Sequence, residues 1–153
     1  MKIIHGTPGI GSALSEKDSI YFIKNSKLNL RLATIDEKGD PIIHPVWYYF
    51  EDGKLYVITG KTAKKSQNIS KRDTVYFCID EEKNIPRGVR GKARAKIIED
   101  RQKAIAIAQK LASKYTGDLE NDVAKMFVEM VKTTPVVLLE LEPRYLATWN
   151  HGG

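Results

Sequence analysis

The chain has 153 residues, 42% hydrophobic and 29% charged, which is the composition of one globular domain and excludes intrinsic disorder. Its 25 basic and 19 acidic residues leave a net charge of +6, but the signs are interleaved, and no stretch approaches the roughly 18 uninterrupted apolar residues of a membrane span. A single cysteine, Cys78, excludes an intrachain disulfide, and the start MKIIHGTPGIG lacks the form of a secretory leader, so a soluble, cytoplasmic protein is expected.

Residues 1–14 are glycine-rich and aperiodic and read as a loose arm. Ser15-Glu16-Lys17-Asp18 has the capping-box form, and with Ile20, Phe22 and Ile23 as an apolar side it predicts a helix over 15–25. From Leu28 the period becomes two, predicting a strand over 28–35 with Leu28, Leu30, Leu32 and Thr34 on one face. A turn over 36–41, with Gly39 available for positive φ, leads to a strand over 42–50. Glu51-Asp52-Gly53 then turns the chain into a strand over 54–59, and these three strands read as an antiparallel meander.

After Gly60 comes a lysine-rich loop that completes a turn or two of helix over 68–71. The run TVYFCI predicts a strand over 74–79, followed by a polar loop over 80–86. Residues 87–98 are basic but alternating, and Gly88 and Gly91 suggest a bulge or a close approach. Helical spacing predicts helices over 101–115, stopped by Thr116-Gly117, and over 121–132. A nearly continuous apolar strand over 136–141 is extended or bent by residues 143–149. Six or so mostly antiparallel strands with three helices outside them predict a mainly β, single-domain protein over 1–153, its sheet closed into a barrel or half-barrel that hides the edges.

Two stretches carry chemistry. In LYVITGKTAKKSQNI, a strand feeds a loop in which Lys61, Lys64 and Lys65 stand among Thr59, Thr62, Ser66 and Asn68. Positive charge, neutral donors and the free N–H groups of a starting helix are what a phosphate needs. In IIHPVWYY, Pro45 cannot donate to a ladder, so the strand belongs at an edge, a bulge or beside a ligand, and Trp47, Tyr48 and Tyr49 offer surface for a flat ring. His5, His44 and His151 have no metal-ligand spacing, and nucleophile elbows, Walker loops and dinucleotide glycine motifs are absent, so no metal is expected and any redox step falls to a bound cofactor.

Together LRLATID, the EKGDP turn, HPVWYYF, LYVITG, the loop AKKSQNI, VRGKARAKI and the closing ATWNHGG resemble the pyridoxamine 5'-phosphate oxidase-like split-barrel flavoproteins, from about Leu28 to the C-terminus apart from the helical insertion. The resemblance implies an antiparallel split β-barrel, a homodimer with FMN at the subunit interface, and transfer of hydride or electrons to a small-molecule substrate. It implies that Lys65 pairs with the cofactor phosphate, and that Lys64 adds a point charge where the family more often has arginine. Thr59 and Asn68 become neutral donors to the same phosphate. The segment His44, Pro45, Val46 and Trp47 lies along the isoalloxazine, Trp149 comes near the ring from its own or the neighbouring subunit, and Arg90 reaches the cofactor. Asn150-His151-Gly152-Gly153 departs from the C-terminal Arg-x-His of true pyridoxamine phosphate oxidases, which argues against vitamin B6 chemistry.

One alternative within the same fold is the deazaflavin coenzyme F-420, whose anionic tail suits the positive net charge. A rival from another class is a non-catalytic carrier of flavin or haem, with His44 or His151 as haem ligand, or a nucleic-acid binder using the basic loop. A single basic loop suits a small phosphorylated ligand at least as well as a polymer, and neither nucleic acid nor membrane is expected as a partner.

Overall fold

In the computed structural model, which describes residues 1–83 and 85–153, one eight-stranded sheet curls around an apolar interior and carries helices on its flanks. The polar loop expected over 80–86 includes Asn84, which lies outside the described residues. The elements in chain order are β1 (Lys2–His5), α1 (Glu16–Asn25), β2 (Leu30–Ile35), β3 (Pro41–Val46), β4 (Tyr49–Glu51), β5 (Lys54–Gly60), α2 (Lys64–Lys71), β6 (Thr74–Glu81), β7 (Arg87–Ile98), α3 (Arg101–Thr116), α4 (Asp122–Thr133) and β8 (Val136–Asn150). The mainly β half-barrel is therefore as expected. Among the described residues no helix is long and apolar enough to cross a membrane.

Local signals place most boundaries. Ser15 caps α1 by accepting from the Asp18 N–H at 3.0 Å, while its hydroxyl donates to the Asp18 carboxylate at 2.8 Å. Asp52 and Gly53, at φ 52° and 76°, form the two-residue turn between β4 and β5, a conformation that needs positive φ at both positions. Gly91 is a close approach, because a Cβ there would lie 2.5 Å from the Phe77 ring. The irregularity in β7 comes one step later, between Lys92 and Ala93, where β8 carries the extra residue between Pro143 and Tyr145.

Four expectations are corrected. The N-terminal arm contains a strand, β1, which pairs in parallel with β8 from Lys2 against Tyr145 to His5 against Thr148. Short and half-exposed, it is held by a partner remote in sequence, so no periodicity betrays it. The lysine loop turns helical at Lys64 rather than Asn68, giving four helices rather than three among the described residues. Strand β6 continues to Glu81, into the expected polar loop.

The fourth correction matters most. The strand expected over 42–50 is two strands, and the expected meander does not exist: the sheet order is β3-β2-β6-β7-β8-β5-β4. Between Val46 and Tyr49 the chain therefore leaves one edge of the sheet and begins the other. Trp47 and Tyr48 are the seam of the barrel.

The strands near the seam bury both faces. Leu55 and Val57 of β5, with Val137, Leu139 and Leu141 of β8, fill the barrel. Their alternates Tyr56, Ile58 and Leu138 pack under α3 and α4 against Ile107, Leu111 and Phe127. That double burial explains why VVLLEL reads as a continuous apolar run.

Candidate functional site

The sheet edge, the lysine loop and the helical insertion meet at one cavity of about 300 Å³. Its lining is His44, Pro45, Val46 and Trp47 from the end of β3 and the seam, Ile58 from β5, Lys65 from α2, Leu111 from α3 and Phe127 from α4. Strand β3 is an edge strand, the position where a proline removes no ladder bond.

Lys65 is the cation of this cavity. It is half-buried, and burial holds its ammonium below the ordinary lysine range. Among the described residues no carboxylate pairs with it, whereas Lys61 is 2.9 Å from Glu99 and Lys64 is 2.6 Å from Glu37. The hydrogen bond from Lys64 holds the exposed Glu37 carboxyl below its usual range and raises the lysine in turn. Around Lys65 the helix start is also open: Ala63 occupies the cap position without a side-chain bond, and no acid stands in the first turn of α2. A half-buried ammonium beside N–H groups without a side-chain cap has the chemistry to hold an anion.

The remaining candidates are elsewhere. Thr59 is nearly buried and, by strand alternation, shares the barrel face of Leu55 and Val57 rather than the cavity face of Ile58. Asn68 is buried, and its amide donates to the Thr34 hydroxyl at 3.0 Å, joining α2 to β2. Arg90 is exposed on the outer face of β7, opposite Cys78 and Ala147. Trp149 packs over Gly6 and Gly88, on the same outer face. His151 lies 3.2 Å from the Thr7 hydroxyl. The structure thus gathers His44, Pro45, Val46, Trp47 and Lys65 into one cavity and leaves Thr59, Lys64, Asn68, Arg90 and Trp149 outside its lining.

The aromatic seam is not a free platform. Trp47 already stacks on Tyr115 with centroids 4.7 Å apart and planes 4° apart, and meets the edge of Phe127 at 5.1 Å. Tyr48 is fully buried, its hydroxyl donating to the Ile23 carbonyl at 2.6 Å. What the seam offers a ligand is one rim of an apolar cavity. Sequence reading missed Ile58, Leu111, Phe127 and Tyr115, because helical and strand spacing mark such residues only as core. Among the described residues no group of His, Cys, Asp or Glu could hold a metal ion. The polar side chains of the cavity lining are Lys65 and His44, set among apolar and aromatic groups.

Comparison with known proteins bears on the family and the fold. The family model described as pyridoxamine 5'-phosphate oxidase matches residues 19–150. A conserved hypothetical protein of Mycobacterium tuberculosis superposes with a TM-score of 0.79 at 24% identity, over 95% of this chain and 89% of the other. A structure described as an F420 reductase gives a TM-score of 0.65 at 21% identity, over 81% of this chain and 92% of that one. A pyridoxamine 5'-phosphate oxidase-related, FMN-binding protein of Nostoc punctiforme gives 0.65 at 20% identity, over 93% and 88%. No curated protein is a significant match.

Proposed function

Because the chain belongs to the pyridoxamine 5'-phosphate oxidase family, we propose that it is a flavin-dependent oxidoreductase that holds FMN at the seam of its barrel and acts on a small molecule. The observation that carries this reading is Lys65, a half-buried ammonium with no acid partner among the described residues, in a cavity otherwise lined by His44 and by apolar and aromatic side chains. A phosphate monoester supplies the missing negative charge, and the uncapped amino end of α2 supplies further donors. The flavin, when bound, supplies the hydride or electron transfer. The protein's part is to anchor and orient it: Lys65 takes the phosphate, the backbone of Pro45, Val46 and Trp47 meets the polar edge of the ring, and the apolar side chains exclude water.

A cavity of about 300 Å³ leaves much of a tricyclic ring uncovered in a single subunit, which supports a homodimeric active form whose second copy covers the ring and delivers Arg90 and Trp149. A deazaflavin coenzyme of the F420 type is the second reading, favoured by the likeness to an F420 reductase and by the net charge of +6.

The test begins with the absorption spectrum of the purified protein and titration with FMN and with F420. Lys65→Ala removes a charge-assisted bond worth about 1.5–3 kcal/mol when desolvated, so FMN affinity falls roughly ten- to a hundred-fold. Unchanged affinity in that variant takes Lys65 out of the site, and wild-type protein that binds neither cofactor overturns the reading.

A further inference from the structure

The seam at Trp47 and Tyr48 has no strand partner, so its backbone groups must be satisfied by something else. For Tyr48 the last turn of α3 does this with two side chains. Lys114 Nζ donates to the Tyr48 carbonyl at 2.8 Å, and Tyr115 Oη accepts from the Tyr48 N–H at 3.3 Å. The same Tyr115 hydroxyl donates to the Leu28 carbonyl at 2.9 Å, just ahead of β2. The rings complete the clamp: Tyr115 stacks on Trp47 at 4.7 Å, and the Lys114 ammonium sits 3.5 Å from the centroid of Tyr48 and 4.8 Å from that of Tyr115. Both amide groups of one residue, and the ring of its neighbour, are thereby tied to a helix that lies outside the barrel.

We propose that Lys114 and Tyr115 are positioning residues for the cavity, fixing the seam backbone along which a planar ring is received. This rests on the flavin reading above. Neither side chain lines the cavity, so they act on a ligand only through Trp47 and Tyr48. The buried setting keeps the clamp in one state of charge on the tyrosine side, since burial pushes the Tyr115 phenol up to about 12. No carboxylate pairs with Lys114 among the described residues; its helical neighbour Lys110 is held by Glu51 of β4 at 2.6 Å.

A ring-positioning residue and a phosphate-binding residue differ in a way that titration can read. Riboflavin has the ring of FMN without its phosphate. Tyr115→Phe keeps the stack on Trp47 and removes the bridging hydroxyl. It should weaken FMN and riboflavin by the same factor, about fivefold for one hydrogen bond, and shift the absorption bands of the bound flavin. Lys65→Ala should weaken FMN and leave riboflavin unchanged. Lys114→Met should behave like Tyr115→Phe, and Lys114→Arg, which retains a donor for the Tyr48 carbonyl, should restore affinity. A lowered thermal midpoint with unchanged affinity for both flavins makes the clamp purely structural and overturns the proposal, as does a loss confined to FMN. If the wild-type protein takes up no flavin, the cofactor reading falls instead. The clamp is then read from Trp47 emission in a Trp149→Phe background, where Tyr115→Phe must shift the spectrum; an unshifted spectrum overturns it.

Discussion

Three lysines follow one strand within five residues, and their surroundings give them different chemistry. Lys61 and Lys64 are exposed and paired with Glu99 and Glu37, while Lys65 is half-buried and pairs with no acid among the described residues. Glu37 comes from the turn between β2 and β3, which Asp36 closes on itself by accepting from the N–H groups of Lys38 and Asp40. It competes with any phosphate for Lys64. Glu37→Gln should therefore tighten FMN roughly two- to threefold at low ionic strength, with the gain vanishing as salt screens the exposed charges. Titration at two salt concentrations checks this, and an unchanged affinity at both confines the phosphate to Lys65. The loop's cationic character was legible in the letters AKKSQNI. Which lysine is left without an acid was not, because Glu37 lies 27 residues from Lys64 in sequence.

At the scale of elements, α3 does two jobs with one face and one end. Ala104, Ala108, Leu111 and Ala112 give it a buried side toward the sheet and α4, and this was legible as helical spacing. Its C-terminal turn carries Lys114 and Tyr115 to the seam, and this was not legible: a lysine and a tyrosine before Thr116-Gly117 look like an ordinary helix end. The seam was hidden for a related reason. HPVWYYF has no turn residue after Pro45, and only the tertiary partners of Tyr48 show that pairing stops there. Burial also gives the clamp a measurable pH signature, since it lowers the Lys114 ammonium to about 8 from an ordinary value of 10.5. Below pH 8 both the folded and unfolded chains carry the proton, and the folded state bears the full penalty of a buried charge. Between about pH 8 and 10.5 the folded chain releases the proton while the unfolded chain keeps it, so stability contributed by this residue rises with pH. Denaturant unfolding across that window should show the wild type gaining on Lys114→Met. A stability difference that stays flat from pH 7.5 to about 10.5 places the amine in water and removes the burial argument.

On the scale of the whole molecule, the outer face of the sheet is what the fold leaves unexplained. The register sets out two rows across it: Ile43, Ala33, Tyr76, Lys92 and Tyr145, and beside them Pro45, Arg31, Cys78, Arg90 and Ala147. Ile43 is 68% exposed and Tyr76 41%, the Tyr76 and Tyr145 hydroxyls lie 3.3 Å apart, and a hollow of about 590 Å³ opens between Ala33, Ile35, Pro41 and Tyr76. Exposed Ile43 and Tyr76 in register with half-exposed Tyr145, with Arg90 and Trp149 on the same side, form the kind of mixed surface that a two-fold copy could cover. It borders Pro45, so a second subunit seated there closes the seam cavity from outside. In the proposed dimer, Tyr76→Glu sets like charges against each other across the interface and should halve the mass measured by sedimentation, with flavin affinity lost in the same variant. Met126→Lys, on the outer side of α4 where Met126 is 67% exposed, should change neither. If Tyr76→Glu sediments as the wild type does, the sheet face is not the interface, and Arg90 and Trp149 have no route to the cofactor.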